Sequence, residues 1–573
     1  MDNQRIFLWA GLAVLLFLNV QTWQHDYSPP TPAVAVAQTT AAGAAAAPAT
    51  TGGSLYDAVP GAGAPPAAPP AVSPAPTTSA VPAAVVGAPT ETPIASTIHV
   101  STDVLQLEIS TLGGEIRDAQ LRKYPRRKDT PNDLIHLMSA DGADGPSVFQ
   151  WGLTTGGTAA EPNQKALFTA AASHYELADN QDELSIPLTW TDDAGLTVTR
   201  TIHLRRGSYT IELMQSVKNQ SAAPWRARAY SQITHHWAKA ERSMWDPSTY
   251  SFKGPAVYNA KKYQKLDLEK PDPDQLPKAP LTGGWAAALE HHFVVAIVPD
   301  PAAATDYTLS VKDKDYRLGV IGPWQDVAPG AAAAFHETLF IGPKLQEQLS
   351  AVAPKLDLTA DYGRLTVIAQ PLFWLLSHVH RLIGNWGFAI IIVTFLIKLA
   401  FYPLAQTSGR SMARMRNIAP RMKAMQERYK DDREQLGKQM MELYKREKVN
   451  PLAGCLPILV QIPVFMGFYW VLLESVEVRQ APFMLWIQDL SLRDPYFVLP
   501  AIMGAAMFGQ FKLNPAPPDP VQAKMFAFMP LVMTAMMAFF PAGLVLYWIT
   551  NTVLSMAQQW RINQLVELEA KPR

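Results

Sequence analysis

The chain has 573 residues and a mass of 62.9 kDa, with 49 Lys+Arg against 49 Asp+Glu and a mean hydropathy of -0.01. Balanced charge gives no ground for a nucleic-acid or acidic partner. Charged residues at 17% fall well below the roughly 25% of soluble domains, which points to membrane segments mixed with polar regions. The single cysteine, Cys455, excludes an intramolecular disulfide, a CxxC redox pair and a cysteine-built zinc or iron–sulfur site.

Residues 6–20 (IFLWAGLAVLLFLNV) are apolar, with Arg5 before them and His25-Asp26 after. The run is short for a span and close to a signal-peptide core, so residues 1–26 read as a signal-anchor or a cleaved signal. Arg5 places the N-terminus inside. Residues 27–97 hold fourteen prolines and only two charges, Asp57 and Glu91. Such a tract cannot bury enough side chain to offset its ordering entropy and reads as a disordered tether.

Residues 98–350 alternate at period two. Leu105, Leu107 and Ile109 do so, as do Leu184, Ile186, Leu188 and Trp190. After the turn Asp192-Asp193-Ala194-Gly195 come Leu196, Val198, Arg200, Ile202 and Leu204, then Gly207, then Tyr209, Ile211 and Leu213. This pattern predicts antiparallel, half-buried strands in an all-β sandwich. The pairs His235-His236 and His291-His292 would present at most one metal ligand each if they lie on strands, where neighbours point to opposite faces. No metal or cofactor is expected.

Residues 360–384, with Trp374, His378, His380 and Arg381, read as an amphipathic helix in the membrane interface. Apolar runs then predict spans at 385–404, 452–474, 496–512, 524–541 and 543–562, the last two divided at Phe540-Pro541-Ala542-Gly543, with a tail at 563–573. With the first segment this makes six spans. The 405–450 stretch carries twelve Lys/Arg against six Asp/Glu, and the 474–495 loop has only Arg479 and Arg493 as bases. The positive-inside rule therefore puts 405–450 and both termini in the cytoplasm and residues 27–384 outside it.

Enzyme motifs are missing: there is no GxSxG, HExxH, GxxxxGK[ST] or GxGxxG. The unusual residue is Lys398, inside IIIVTFLIKLAFYPL with no acid to pair with. A mid-membrane lysine costs about 2.5–3.5 kcal/mol on insertion scales. It either snorkels to the interface or stands in a hydrated recess. Thr394, Gln461, Gln510, Thr550 and Asn551 add polar groups to otherwise apolar helices. Each alone reads first as an interhelical hydrogen-bonding residue, the more common role; together they suggest a groove. The lack of Asp or Glu within spans two, four, five and six argues against the alternative of a small-solute transporter driven by cations or protons. In the cytoplasmic stretch, Met415, Ile418, Met422, Met425 and Tyr429, and then Leu436, Met440 and Leu443, follow a heptad-like spacing. They predict a helical hairpin whose seams pack together, or whose methionines form a soft docking surface with Met412, Arg414, Arg416 and Arg421.

Several motifs resemble a known family. They are the MDNQR start, DVLQLEISTLGGEI, NWGFAIII…YPL, SMARMR, EKVNPLAGCLPILVQIPVF, SVEVRQAPFMLWIQDLS and FPAGLVLYWITN. The chain resembles the YidC-type membrane protein insertases of Gram-negative bacteria, in the superfamily of the mitochondrial Oxa and chloroplast Alb proteins. The resemblance implies a retained signal-anchor, a five-helix core and a periplasmic β-supersandwich. It implies a bacterial inner-membrane, non-enzymatic insertase and chaperone, acting alone or beside the Sec translocon (SecYEG, SecDF). Nascent membrane proteins, the ribosome, the signal recognition particle and its receptor, and the lipid bilayer are the implied partners, with no specific nucleic acid. The family's groove holds one positive residue, usually Arg, where this chain has Lys398; the charge stays and the bidentate fork is lost. Thr394, Tyr547 and Trp548 match positions that contact substrate.

Overall fold

The structure, a computed structural model, describes residues 95–570 except 144, 158–160, 239–242, 244–246, 271, 430–431, 448–455 and 514–519. The expected anchor and nearly all of the tether lie outside the described residues.

The N-terminal part is a sandwich of two sheets. The first runs Asp306–Lys312, Asp315–Ile321, Trp225–His236, Ser147–Thr154, Thr130–Ser139, Ile116–Arg127, Leu105–Ser110, Thr97–Ser101 and His174–Glu176, with Gln325–Val327 added to Trp225–His236. The second runs Tyr263–Lys265, Gly254–Tyr258, Trp285–Leu289, Phe293–Pro299, Ala332–Pro343, Thr210–Asn219, Leu196–Arg205, Glu183–Thr191 and Thr169–Ala170. The period-two residues do what alternation demands: Leu105, Leu107 and Ile109, then Leu196, Val198, Arg200, Ile202 and Leu204, all turn inward. The hairpin turn between the Glu183–Thr191 and Leu196–Arg205 strands is closed by Asp192, whose Oδ1 accepts from the amides of Ala194 at 3.0 Å and Leu196 at 2.7 Å, with Gly195 at φ 93°.

The apolar interior is divided by a polar layer. The larger cluster includes Ile202, Leu213, Ile233 and Leu339, and the smaller includes Val198, Val217, Leu153 and Phe335. Between them on the same strands lie Arg200, Gln215, Ser231 and Glu337, all buried or closely enclosed. The Arg200 Nε donates to Gln215 Oε1 at 3.0 Å, and its two Nη groups donate to the carbonyls of Gly113 and Pro162. Its Cζ lies 4.2 Å from the centre of the Phe168 ring and 5.1 Å from that of Trp151. The guanidinium thus ties the loops at 113 and 162 to the inner face of the second sheet. Among the described residues the Glu337 carboxyl has one hydrogen-bond partner, the Ser231 hydroxyl. The pair His291-His292 sits in the turn between Trp285–Leu289 and Phe293–Pro299 rather than on a strand, so its rings do not part to opposite faces but stack with centroids 3.8 Å apart.

The C-terminal part is helical. Helices run Gln346–Val352, Thr366–Ile383, Trp386–Ala400, Tyr402–Arg428, Arg433–Arg446, Leu456–Glu474, Val498–Leu513, Pro520–Met537 and Ala542–Ala570. No single described helix is long and apolar enough to cross a membrane, and Trp386–Ala400 with Tyr402–Met415 forms one bent pair at 69°. Large apolar side chains face outward along these helices, among them Phe388, Phe395 and Leu399, then Phe528, Leu531 and Val532. The helix before the Pro541 break ends at Met537, and the next starts at Ala542, as the proline and glycine dictate. That last helix runs on through most of the expected tail, because Ile562 and Val566 bury against Ala413. In the hairpin, Ile418 and Met422 pack with Met415, Met440, Leu443 and Tyr444. Met422, 4% exposed, is thereby removed from the expected docking surface.

The polar layer yields two predictions. Arg200→Ala strands the Gly113 and Pro162 carbonyls and Gln215, and empties the space between Phe168 and Trp151; it should destabilise the β domain by about 3 kcal/mol or more. Arg200→Met, which restores most of the volume without the donors, should recover only part of this in denaturant unfolding of the full chain. Burial raises the Glu337 carboxyl from its usual range to about 7. The folded state then holds a proton that the unfolded state releases, so stability should fall as pH rises from about 4.5 through about 7. Glu337→Gln should remove that component of the slope, measured by unfolding midpoints across the same pH range.

Candidate functional site

Lys398 stands on the last turn of the Trp386–Ala400 helix. Asn385 caps the other end: its Oδ1 accepts from the Phe388 amide at 3.1 Å, and its Nδ2 donates to the Phe483 carbonyl at 2.9 Å. Gly387 lets the Phe483 ring lie directly on this helix, where any Cβ would collide. The helix stops at Phe401 because the next one starts with Pro403 in its first turn, which supplies no N–H for continuation. The resulting bend frees one side of the Lys398 turn, and Phe401, Leu404 and Ala405 line the space beneath it.

The amine turns inward. Lys398 Nζ donates to Gln461 Oε1 at 3.3 Å and to Ser555 Oγ at 2.7 Å, on two other helices. Each acceptor is oriented by a further bond. Gln461 Nε2 donates to Asn551 Oδ1 at 2.6 Å and to the Tyr547 hydroxyl at 3.3 Å, which leaves its carbonyl oxygen facing the amine. The Ser555 hydroxyl donates to the Asn551 backbone carbonyl at 2.7 Å, which leaves its lone pairs for the amine. Tyr547, Asn551 and Ser555 recur every four residues and so form one stripe of the last helix. Phe468 stacks on the Tyr547 ring at 4.8 Å and holds it in place. Among the described residues no carboxylate lies within 4.0 Å of the Lys398 amine. The cleft around it is about 40 Å³ and is lined also by Thr394, Ile397, Val460 and Val464. At about 10–15 Å³ per molecule it has room for a few waters.

The predicted residues divide. Lys398, Gln461, Tyr547 and Asn551 form one hydrogen-bonded group, with Thr394 on its wall. Thr394 and Thr550 spend their hydroxyl protons on their own helices, at the Ile390 and Leu546 carbonyls. Trp548 packs edge-on against Phe465 at 4.7 Å, and neither it nor Gln510 or Thr550 lines the cleft. Ser555 was not predicted; its only signal is the four-residue step from Tyr547 and Asn551. In the hairpin, Arg414 is exposed, Met412 and Met425 are half-buried, and Arg421 Nη1 lies 2.8 Å from Glu447.

Comparison with known proteins gives matches along both parts of the chain. A family model described as 60Kd inner membrane protein matches residues 378–570, and one described as YidC periplasmic domain matches residues 97–375. The membrane protein insertase YidC of Nitrosococcus oceani is 43% identical over 572 residues, 99% of this chain and 100% of that one. That of Thioalkalivibrio sulfidiphilus is 44% identical over 585 residues, 100% of both chains. Among solved structures, an active YidC insertase crystal structure with the first transmembrane domain resolved is similar at a TM-score of 0.37 and 17% identity, covering 80% of this chain and 91% of that one. The chain belongs to the YidC family of membrane protein insertases.

Proposed function

We propose that this protein inserts nascent membrane proteins into the bacterial inner membrane by way of the Lys398 cleft. The observation that carries the reading is the inward amine. It is solvated by Gln461 and Ser555 with no carboxylate beside it among the described residues, so its charge is satisfied as a donor and unneutralised as a field. An acidic segment of a substrate entering from the cytoplasm is attracted to that field, more strongly in the reduced dielectric than in water. The polar stripe Tyr547–Asn551–Ser555 offers partners to backbone groups that would otherwise cost several kcal/mol each in lipid. Entry requires the walls of the small cleft to part.

The short helices support local thinning of the bilayer. Val498–Leu513 has 16 residues, about 24 Å at helical rise against roughly 30 Å of hydrocarbon. Burial of the substrate's apolar helix, with the membrane potential on its acidic end, then drives the transfer. No catalytic step is part of this mechanism. The small-solute transporter reading has no support in the relatives, which are named insertases.

The proposal includes six spans, the first within residues 1–26, both termini cytoplasmic and the β domain periplasmic. It includes the helix Thr366–Ile383 lying in the interface, with Trp374 and Leu382 exposed on it. Met412, Met415, Met425, Arg414, Arg416 and Arg421 are proposed to receive the ribosome, the signal recognition particle and its receptor, and the β domain side is proposed to work beside the Sec translocon.

Lys398→Ala should reduce insertion of a single-span substrate with an acidic outer segment to near background, and Lys398→Arg should retain it, as scored by protease protection in proteoliposomes. Neutralising the acids of the substrate should make insertion insensitive to the alanine change. Full activity of Lys398→Ala on the acidic substrate would overturn the electrostatic role.

A further inference from the structure

The polar layer of the β domain borders a space of about 70 Å³, room for about five waters. Gln215 and Glu337 stand on its wall, beside Trp151, Tyr230 and Phe335, with Asp300 at an exposed loop. The two polar residues come from paired strands. Leu213 pairs with Glu337 and Gln215 with Phe335. Gln215 and Glu337 are therefore diagonal neighbours on the inner face, roughly 7 Å apart at Cβ.

Each of the two has one atom committed and one left over. Arg200 can only donate, so the Gln215 oxygen turns toward its Nε at 3.0 Å and the amide nitrogen turns away. Glu337 Oε1 takes the Ser231 hydroxyl, which leaves Oε2. Gln215 is only 3% exposed. Neither its Nε2 nor Glu337 Oε2 has a partner among the described residues, and neither is sealed: both open onto this space.

The wall selects a chemical class. Arg200 spends its three nitrogens on Gln215, Gly113 and Pro162, so it has no donor for an anion, and Glu337 and Asp300 would repel one. Burial holds the Glu337 carboxyl at about 7, so near neutral pH it passes between acceptor and donor. A hydroxyl serves both forms, whereas an ammonium serves only the ionised one. We propose that this space binds a small neutral polyol, one hydroxyl accepting from Gln215 Nε2 and bonding Glu337 Oε2, its C–H groups against the aromatic part of the wall. The site lies wholly within the β domain, so it stands or falls independently of Lys398.

The test uses the full chain in phosphatidylcholine nanodiscs, since sugar-headed detergents would compete. Glycerol and glucose are titrated and followed by saturation-transfer NMR, with acetamide as a neutral ligand that lacks a hydroxyl. Gln215→Glu keeps an oxygen for Arg200 and removes the free donor. Ala229, half-buried on the wall between Ala227 and Ser231 of the inner face, is changed to Met, which fills the space and leaves the Gln215 and Glu337 bonds in place. Saturable binding of glycerol or glucose that weakens at least about tenfold in Gln215→Glu and is lost in Ala229→Met, with an unfolding midpoint no lower than the parent's, supports the site. If Ala229→Met fails to fold, Ala229→Val takes its place. Binding that survives the filling of the space, or no saturable binding of either polyol, overturns the proposal. Acetamide binding as tightly as glycerol overturns the assignment to hydroxyl ligands.

Discussion

A single ammonium group, held by neutral dipoles instead of a counter-ion, organises the helical part of this protein. An amine among apolar helices needs acceptors. A carboxylate would supply one and cancel the charge. Gln461 and Ser555 supply acceptors and leave the charge standing. Their orientation is set one bond further out, by Asn551 and Tyr547. The cost of burying the cation is thus spread over three helices, each of which must be in register for the group to close. The bend after Ala400 and the Asn385 cap at the opposite end fix the height of Lys398 relative to those partners.

The β domain is joined to the helices by comparable chemistry. His291 Nε2 bonds the Leu473 carbonyl at 2.9 Å, and the Ser251 hydroxyl meets Glu474 at the end of its helix. Lys128 reaches the Gln488 carbonyl at 3.0 Å, and Arg479 Nη2 donates to the Pro125 carbonyl at 2.8 Å. These contacts are polar, so their partners are specified in a way that an oily interface would not require.

Much of this was legible in the sequence, for reasons that differ from element to element. Alternation marked the sandwich because each strand has one buried face, and it placed Arg200 on that face before any role for it was visible. A charged residue inside an apolar run marked Lys398. Gln461 and Asn551 stood out as polar groups in apolar helices and Tyr547 only through the family resemblance, whereas Ser555 did not stand out, since a lone serine in a helix usually bonds its own backbone. Thr394 and Thr550 do just that. The sequence left the His291-His292 pair open between strand and loop, because two residues carry too little periodicity to fix a local conformation.

The last helix joins distant parts of the molecule as a single rod. Its 29 residues extend about 43 Å at helical rise. Near one end it presents Tyr547 to the amine's partners, and further on Ile562 meets Gly409 and, with Val566, Ala413 of the basic hairpin. Ser555 lies between them. A stiff rod clamped at both places cannot turn at one without turning at the other, so torque applied by whatever engages the hairpin reaches the serine oxygen that holds Lys398.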